Sequence, residues 1–334
     1  MENRHIDVIA TTISGSIKDW GKIPRIVPLF ESRGESDVRL CTMDSHAEAR
    51  RKTAELIRAG GKIIISAGGS GTFNAVLEGC FDSGRDLKDL RLGFLRKGSA
   101  DLIGKVLGMP DDIEKAIDVF VSAIRQDRVV PCDVILVTDS AGEAVPRRFV
   151  GYSGAELFGR IPHYTENRFI KYYKGILSQL FGDLGPFFIG TSLAIIEKVV
   201  KRIGRGKRRW RIIIDDKVVA DSSFQSMIIV NGDLGKDLPF AKSEPLGSGK
   251  FYLFTIEDKG ILRLFGQLKH AWDASITENP EKYGFGSFII EKNLVLEPED
   301  SGVFPVNIDG STMKCGGSAR FEICDQIRLL GGHI

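Results

Sequence analysis

The segment Gly68-Gly69-Ser70-Gly71-Thr72 contains the residues best suited to binding a charged ligand. Glycines let the backbone approach an anion closely, and N–H groups at the start of a helix attract negative charge. The segment follows the apolar run Ile63-Ile64-Ile65, and apolar residues at helical spacing come after it: Phe73, Val76, Leu77 and Cys80. The pattern predicts a strand, a glycine loop and a helix that bind phosphate, although an ordinary tight turn has the same pattern.

The glycine segment has neither the Gly-Lys-Ser/Thr of the Walker loop nor the Rossmann spacing. A second short glycine segment, residues 98–101, follows another predicted strand at residues 92–95. Because the carboxyl ends of parallel strands lie at one edge of a sheet, the two segments are expected to line one crevice.

The composition is typical of a soluble globular protein. The chain has 334 residues, of which 43% are hydrophobic and 27% charged, and its net charge is only +2. Such a weak charge gives no reason to expect a nucleic-acid partner. The five cysteines are odd in number and form no CxxC pair, which favours reduced thiols in a cytoplasmic protein. No apolar run is long enough to span a bilayer, so any membrane contact is expected to be peripheral.

Strands and helices alternate over the first 130 residues. Short apolar runs predict strands at residues 6–10, 38–41, 63–66 and 92–95. A helix is expected to begin within residues 23–30. Ser45 and Glu48 form a capping box for a second helix, which Gly60-Gly61 ends. This order predicts an α/β fold with an N-terminal doubly wound parallel sheet.

From residue 131 onward, short β-like runs separated by turns predominate, and they predict an antiparallel β-sandwich or barrel. The runs lie at residues 133–138, 147–152, 210–215, 226–231, 251–256, 287–290 and 321–324, with an interrupted helix over residues 164–201. We therefore expect an α/β domain at residues 1–130 and a β-rich domain at residues 131–334, whose last segment can return to the first domain.

Several motifs occur in an order found in one family. Residues 11–15 take the place of an Asn-Pro-x-Ser-Gly segment, and residues 68–72 that of Gly-Gly-Asp-Gly-Thr. Residues 98–110 match a Gly-Thr-x-Asn-Asp-x-Ala…Leu-Gly-x-Pro run, and residues 309–311 a late Asp-Gly-Glu. The remaining matches belong to a Thr…His-Ala…Ala helix: Thr42, His46, Ala47 and Ala54. Over nearly its whole length the chain resembles the diacylglycerol kinase catalytic-domain family, which includes bacterial lipid kinases and sphingosine kinases.

The resemblance implies a fold like that of NAD kinase and diacylglycerol kinase, with ATP and Mg²⁺ as cofactors and a lipid as the other substrate. It makes the first domain nucleotide-binding and the second substrate-binding. The residues implied to contact the nucleotide are Ser14, Thr42, Gly68, Gly69, Gly71, Thr72 and Ser99. Catalysis is implied for Asp309 and for Ser70, which stands where the family has an aspartate.

The chain departs from the family at several carboxylate positions: Ser70, Ala75, Leu102, Ser248 and Ser311. Phosphoryl transfer uses Mg²⁺ held by hard oxygen ligands, and a carboxylate near the acceptor hydroxyl can take its proton. Serine carries no charge and does neither task alone. The remaining acids that can compensate are Asp309, Asp101, Asp233 and Glu244, so the metal ligands stay unassigned.

Three further features each admit two interpretations. The basic run at residues 201–211 suits an anionic membrane surface with Trp210 at the headgroup level, or a solvated loop. His46 suits contact with adenine or a place on a helix surface. An aromatic cluster suits a lipid slot or core packing: Phe169, Tyr172, Tyr173, Phe181, Phe187 and Phe188.

The leading hypothesis from these residues and the resemblance is an ATP-dependent lipid kinase that phosphorylates a hydroxyl of a diacylglycerol- or sphingoid-like lipid. Two alternatives stay open. One is a non-catalytic nucleotide- or lipid-binding protein on the same scaffold, and the other is a kinase of a soluble acceptor. The sequence does not decide the oligomeric state, and a homo-oligomer is compatible with it.

Overall fold

The computed structural model describes residues 5–13, 17–96, 102–165, 207–235, 238–272, 275–300 and 302–332. The chain divides into two compact units. Unit 1 comprises Met1–Cys132 with Asp325–Ile334, and unit 2 comprises Asp133–Cys324. Some residues singled out from the sequence lie outside the described residues: Ser14, Ser99, Asp101, the six aromatic residues of the expected lipid slot, and residues 201–206.

Unit 1 is built on a parallel sheet. Its strands are β1 (Ile6–Thr11), β2 (Val38–Met43), β3 (Ile63–Gly68) and β4 (Arg91–Arg96), in the order β2-β1-β3-β4. The two central strands, β1 and β3, are buried along their whole length, as expected where helices cover both faces. The last part of β16 (Ala319–Leu330) pairs in parallel with β4 through Arg328 and Leu329.

Two pairs of helices accompany this sheet. α1 (Ile26–Glu31) packs against α5 (Ile113–Arg125), and α2 (His46–Arg58) packs against α3 (Ser70–Asp82). The chain passes from β1 to β2 in one direction across the sheet and from β2 to β3 in the opposite direction. Right-handed crossovers therefore place α1 and α2 on opposite faces. The short α4 (Leu102–Val106) follows β4. The predicted doubly wound parallel sheet is therefore confirmed.

The ends of α2 follow the sequence prediction closely. The Ser45 side chain accepts a hydrogen bond from the Glu48 N–H at 3.1 Å, as an N-cap should. The Glu48 carboxylate reaches back to the N–H of Asp44, one residue earlier than in a standard capping box. At the other end, Gly60 has a φ of +100°, and its N–H and that of Gly61 donate to carbonyls of the last turn.

The first helix differs from the prediction. Residues Ile17–Arg25 form a 3₁₀ helix, and α1 begins only at Ile26. Pro24 and Pro28 both lack an N–H group, so an uninterrupted α-helical ladder cannot run across residues 23–30. Pro28 is tolerated because it lies in the first turn of α1, where N–H groups need no partner within the helix.

Unit 2 is built mainly from antiparallel strands. In chain order they are β5 (Val129–Asp139), β6 (Arg147–Phe149), β7 (Tyr152–Glu156), β8 (Trp210–Ile214), β9 (Lys217–Ser222), β10 (Phe224–Val230), β11 (Phe251–Glu257), β12 (Phe285–Ile290), β13 (Asn293–Pro298), β14 (Phe304–Ile308) and β15 (Ser311–Cys315). Its described helices are α6 (Leu157–Thr165), α7 (Ile261–Trp272) and α8 (Pro280–Tyr283). Asp215 and Asp216, both at positive φ, form the β8–β9 turn.

These strands form two sheets. One has the order β16-β13-β8-β9, with β5 and β6 alongside, and the other has the order β12-β11-β10-β7-β14-β15. Side chains from both sheets meet in one hydrophobic core, which includes Trp210 and Phe321 from the first sheet and Phe251 and Phe304 from the second. The predicted C-terminal antiparallel β-sandwich is therefore confirmed.

Trp210 belongs to this core, and its expected place at a membrane surface is wrong. The side chain has no exposed area, its Nε1–H donates to Glu156 Oε1 at 2.9 Å, and its ring packs edge-on against Phe304. Trp210 opens β8, where Ile212 and Ile214 also face the core. The alternation that buries Trp210 starts inside the basic run, with Arg211 exposed between buried Trp210 and Ile212.

Candidate functional site

Several of the predicted nucleotide-binding residues lie at the carboxyl edge of the unit 1 sheet. In the register of the strands, Thr42 pairs with Ala10, Ala10 with Ala67, and Gly68 with Arg96. The chain leaves β1 toward β2 on one side and leaves β3 toward β4 on the other. Their shared carboxyl end is therefore the topological switch point, where ligands of such sheets bind.

The glycine segment leads directly from β3 into α3. Gly68 ends the strand, and Gly69 is the N-cap of α3 with extended backbone at φ −91°. Because glycine has no side chain to cap the helix, the first-turn N–H groups at Ser70 and Gly71 stay available to a ligand. Ser70 is half-buried in this first turn. The geometry fits a phosphate group at the start of α3.

Gly71 is required by a close contact rather than by its backbone angle. A Cβ at this position would lie 2.7 Å from the Cε1 atom of His46 and 3.0 Å from its Nε2 atom. His46 is the first residue of α2 and is exposed, so its ring covers the start of α3 from outside. His46 thus lies on a helix surface, as one interpretation predicted, and this surface is beside the predicted nucleotide segment, as contact with adenine would require.

The hydroxyl groups of Thr11 and Thr12, at the end of β1, form hydrogen bonds with the segments that follow β3 and β2. The Thr11 and Thr72 hydroxyl oxygens lie 2.6 Å apart, and both side chains are fully buried. The Thr12 hydroxyl donates to Asp44 Oδ1 at 2.8 Å, which joins the ends of β1 and β2. Asp44 is an exposed carboxylate at this edge that sequence reasoning missed. The sequence feature that could have indicated Asp44 is its position directly after β2.

Arg96 was also missed. It ends β4, and its side chain is almost completely buried. Its Nη1 donates to the carbonyl of Met109 at 3.1 Å, and its Nη2 lies 3.0 Å from Asp111 Oδ1. The guanidinium group therefore anchors the end of β4 to the loop before α5. A charged residue at the carboxyl end of a predicted buried strand was the available signal.

Asp309 lies in the β14–β15 turn of unit 2, with φ +42° and 4% exposure. Its Oδ1 accepts hydrogen bonds from the N–H groups of Gly151 (3.1 Å) and Tyr152 (2.8 Å), and its Oδ2 accepts one from Val150 (3.0 Å). Burial raises the pKa of Asp309 to about 6, and these hydrogen bonds oppose the rise. The turn directs this carboxylate onto buried backbone.

Asp233 and Glu244 lie at the same end of unit 2 as Asp309. Asp233 accepts hydrogen bonds from the N–H groups of Gly235 (2.8 Å) and Ser243 (2.7 Å), so both of its oxygens hold a loop. Glu244 accepts one from the Tyr252 hydroxyl at 2.6 Å. Burial and this hydrogen bond raise the pKa of Tyr252 to about 12.

In the described part of the chain, no three His, Cys, Asp or Glu side chains come together as a metal-binding cluster. Ser70 offers a hydroxyl in place of a carboxylate, and Ser311 is held by the turn through a hydrogen bond to Ile308 O at 2.9 Å. The described residues therefore fit a phosphate group but do not supply a carboxylate set for Mg²⁺.

The described part of the basic run is neutralised by neighbouring acids. The cations of residues 207–211 lie within 2.8–3.5 Å of carboxylates: Lys207 beside Asp258, Arg208 beside Asp300, Arg209 beside Asp221 and Arg211 beside Glu297. Such pairs present little net charge to an anionic membrane, so this contact stays a prediction. No helix among the described residues combines the length and apolarity needed to cross a membrane.

Comparison with known proteins gives one family. Residues 5–136 match the family model described as the diacylglycerol kinase catalytic domain. No curated protein sequence matches the chain significantly.

Solved structures from Bacillus anthracis str. Sterne share the fold. A diacylglycerol kinase has a TM-score of 0.63 at 16% identity, covering 99% of this chain and 98% of its own. A protein provisionally assigned as a diacylglycerol kinase has a TM-score of 0.68 at 17% identity, covering 98% of this chain and 97% of its own. Another such protein has a TM-score of 0.65 at 17% identity, covering 99% and 98%. The sequence match over residues 5–136 confirms the predicted resemblance to the diacylglycerol kinase catalytic domain family, and the solved structures confirm the predicted fold.

Proposed function

We propose that this chain is an ATP-dependent lipid kinase that transfers the γ-phosphoryl group to a hydroxyl of a diacylglycerol- or sphingoid-like lipid. The observation that carries the proposal is the placement of Gly68–Thr72 at the switch point of the sheet, inside the segment that matches the family. The lipid acceptor is an extension from the family and from the names of the solved structures.

In this proposal the residues of unit 1 bind and orient the nucleotide. The first-turn N–H groups of α3 donate to phosphate oxygens, and Gly71 leaves space between that turn and His46. Thr42 is exposed at the neighbouring strand end, where its hydroxyl is accessible to the nucleotide. A divalent cation supplies charge neutralisation in enzymes of this kind, and its ligands here are unassigned.

A second candidate function is non-catalytic binding of a nucleotide or lipid. The observation that favours it is Ser70, because the first turn of α3 keeps its glycines and loses the carboxylate of the family motif. Losing a general base typically costs about 10²–10⁴-fold in rate, whereas phosphate binding by backbone groups does not depend on it.

The test is an assay with γ-labelled ATP and a panel of extracted lipids, with and without Mg²⁺. Transfer of label to a lipid would support the lipid kinase. Label transferred only to a water-soluble acceptor would favour the alternative kinase. Nucleotide binding without transfer to any acceptor would favour the non-catalytic protein.

Gly71→Ala and Gly266→Ala form a matched pair of variants for measuring nucleotide affinity. The methyl group added by Gly71→Ala would push against the His46 ring, so nucleotide affinity should fall. Adding His46→Ala to this variant should restore part of the affinity. Gly266, within α7, has no atom within 4 Å of a new Cβ, so its alanine variant should bind as the wild type does. Equal affinity of both glycine variants would contradict the proposed phosphate site.

Ser70→Asp separates the two candidate functions. An aspartate in the first turn of α3 is compatible with the helix dipole, so the variant should fold. A weakened kinase should gain activity, because the charge used by the family returns. A non-catalytic protein should gain none, and a fast wild-type enzyme slowed by the change would show that another group does this work.

A further inference from the structure

The Thr11–Thr72 hydroxyl pair is the feature of unit 1 that the proposed function leaves unexplained. The two oxygens lie 2.6 Å apart, across 61 residues of sequence, and neither side chain has exposed area. Buried hydroxyls are costly unless they are paired, so a pair at this position imposes a defined geometry on both segments.

The pair begins where the backbone ladder between β1 and β3 ends. The last paired residues of these strands are Ala10 and Ala67. Beyond them β3 turns into the glycine segment, and Thr11 is paired on its other side with Met43. The side-chain hydrogen bond to Thr72 therefore continues the attachment of β1 to the chain after β3, at the switch point itself.

Thr72 lies inside the first turn of α3. Its N–H and that of Phe73 donate to the Gly69 carbonyl at 3.0 and 3.1 Å, which closes the turn. The same turn carries the N–H groups of Ser70 and Gly71 that the proposed phosphate site uses. A hydroxyl that fixes Thr72 consequently fixes the direction of these donors.

We propose that Thr11 is a positioning residue for the nucleotide: its hydroxyl holds Thr72, and with it the first turn of α3, in the orientation that binds phosphate. This inference rests on the proposed function, because it assigns Thr11 to the same site. Thr11 acts through Thr72 and is not itself required to touch the ligand.

The test compares Thr11→Val, which keeps the shape and removes the hydroxyl, with Thr11→Ser, which keeps the hydroxyl. Thr53→Val is the matched control, because Thr53 is also fully buried in unit 1 but donates at 2.8 Å to Ala49 O within α2. Calorimetric titration with ADP gives affinity, and urea unfolding gives stability for each variant.

Thr11→Val should weaken ADP binding by about 5- to 10-fold, the size expected for losing one buried neutral hydrogen bond. Thr11→Ser and Thr53→Val should bind within about 2-fold of the wild type. Since Thr11 acts through Thr72, the double variant Thr11→Val/Thr72→Val should bind no more weakly than Thr72→Val alone. Hydrogen exchange without ligand should quicken at residues 70–73 in Thr11→Val only.

Unchanged ADP affinity in Thr11→Val, beside a wild type that binds ADP, would overturn this inference and leave the proposed function standing. An equal loss in Thr53→Val would also overturn it, because general loosening of unit 1 would then explain the effect. A wild type that binds neither ADP nor ATP would overturn the proposed function and this inference together.

Discussion

Two aspartates in unit 2 show how burial decides the behaviour of a carboxylate. Asp215 and Asp309 both have positive φ, and each accepts hydrogen bonds from three backbone N–H groups. Burial raises the pKa of Asp309 to about 6 despite its hydrogen bonds. At half-buried Asp215, burial is outweighed by the hydrogen bonds from residues 291–293, and the pKa is lowered.

Asp309→Asn should therefore destabilise the protein, because the amide nitrogen of asparagine cannot accept a hydrogen bond from an N–H group. The expected loss is about 1–3 kcal/mol in urea unfolding. Asp215→Asn is the matched control, since it loses similar hydrogen bonds in a turn away from Asp309. If Asp309 is catalytic, its variant alone should also lose kcat by about 10²-fold or more. Similar kcat values for the two variants would leave Asp309 as a turn residue.

The pKa of Asp309 also sets a pH dependence. The folded state holds the proton up to about pH 6, while the unfolded chain releases it near the ordinary value of 3.8. Relative to Asp309→Asn, the free energy of unfolding of the wild type should rise as pH falls from 7 toward 4, by about 3 kcal/mol at most. Urea titrations of both proteins at several pH values measure this difference, and a flat difference would contradict the raised pKa.

At the scale of elements, α2 and α3 pack unusually closely at Gly79. A Cβ at this position would lie 2.4 Å from the Arg50 carbonyl oxygen and 2.7 Å from the Thr53 Cβ atom. The neighbouring atom is backbone, which cannot move aside without shifting the helix. The glycine is needed for contact between the two helices whose N-termini lie at the candidate site.

Gly79→Ala should force α2 and α3 apart and cost about 1–3 kcal/mol of stability. Gly266→Ala is the control, because that helical glycine has open space around it and alanine favours a helix. Thermal unfolding of the two variants should therefore shift in opposite directions. A Gly79→Ala variant as stable as the wild type would mean that the helices can separate at little cost.

The sequence predicted the elements whose signals are local. The capping residues of α2 and the apolar runs of β1, β3 and β4 gave their positions to within a few residues. Strand β9 was missed because Lys217, Val218 and Val219 are exposed and show no alternation. β13 was missed as well, since Pro298 makes its sequence look like a turn.

In the candidate site, too, only the features that depend on adjacent residues could be predicted. The glycine segment could be placed at the end of β3 because a strand, glycines and a helix are adjacent in sequence. The Thr11–Thr72 pair, the His46–Gly71 contact and the Asp309 hydrogen bonds could not be foreseen. Each joins residues that are far apart in the chain and meet only in the folded sheet or turn.

At the scale of the whole molecule, the two units depend on different cores. Leu329 in β16 has no exposed area and pairs with Leu92 of β4 in unit 1. Leu294 in β13 is equally buried, in the core of unit 2. The two leucines allow each unit to be weakened separately by the same substitution.

Leu329→Ala and Leu294→Ala should each cost about 2–5 kcal/mol. If the two units unfold independently, hydrogen exchange should quicken in β3 and β4 for the first variant and in β8 and β13 for the second. Exchange that quickens equally throughout the described chain in both variants would instead mean that the molecule unfolds as one cooperative body.

Strand β16 has a further consequence during protein synthesis. Residues up to 132 leave the ribosome long before residues 325–330, which complete the sheet of unit 1 beside β4. Until then the nascent chain has one open, apolar strand edge while all of unit 2 is being made, and such edges invite wrong pairing. The sheet of unit 1 is thus begun before unit 2 is translated and finished only after it.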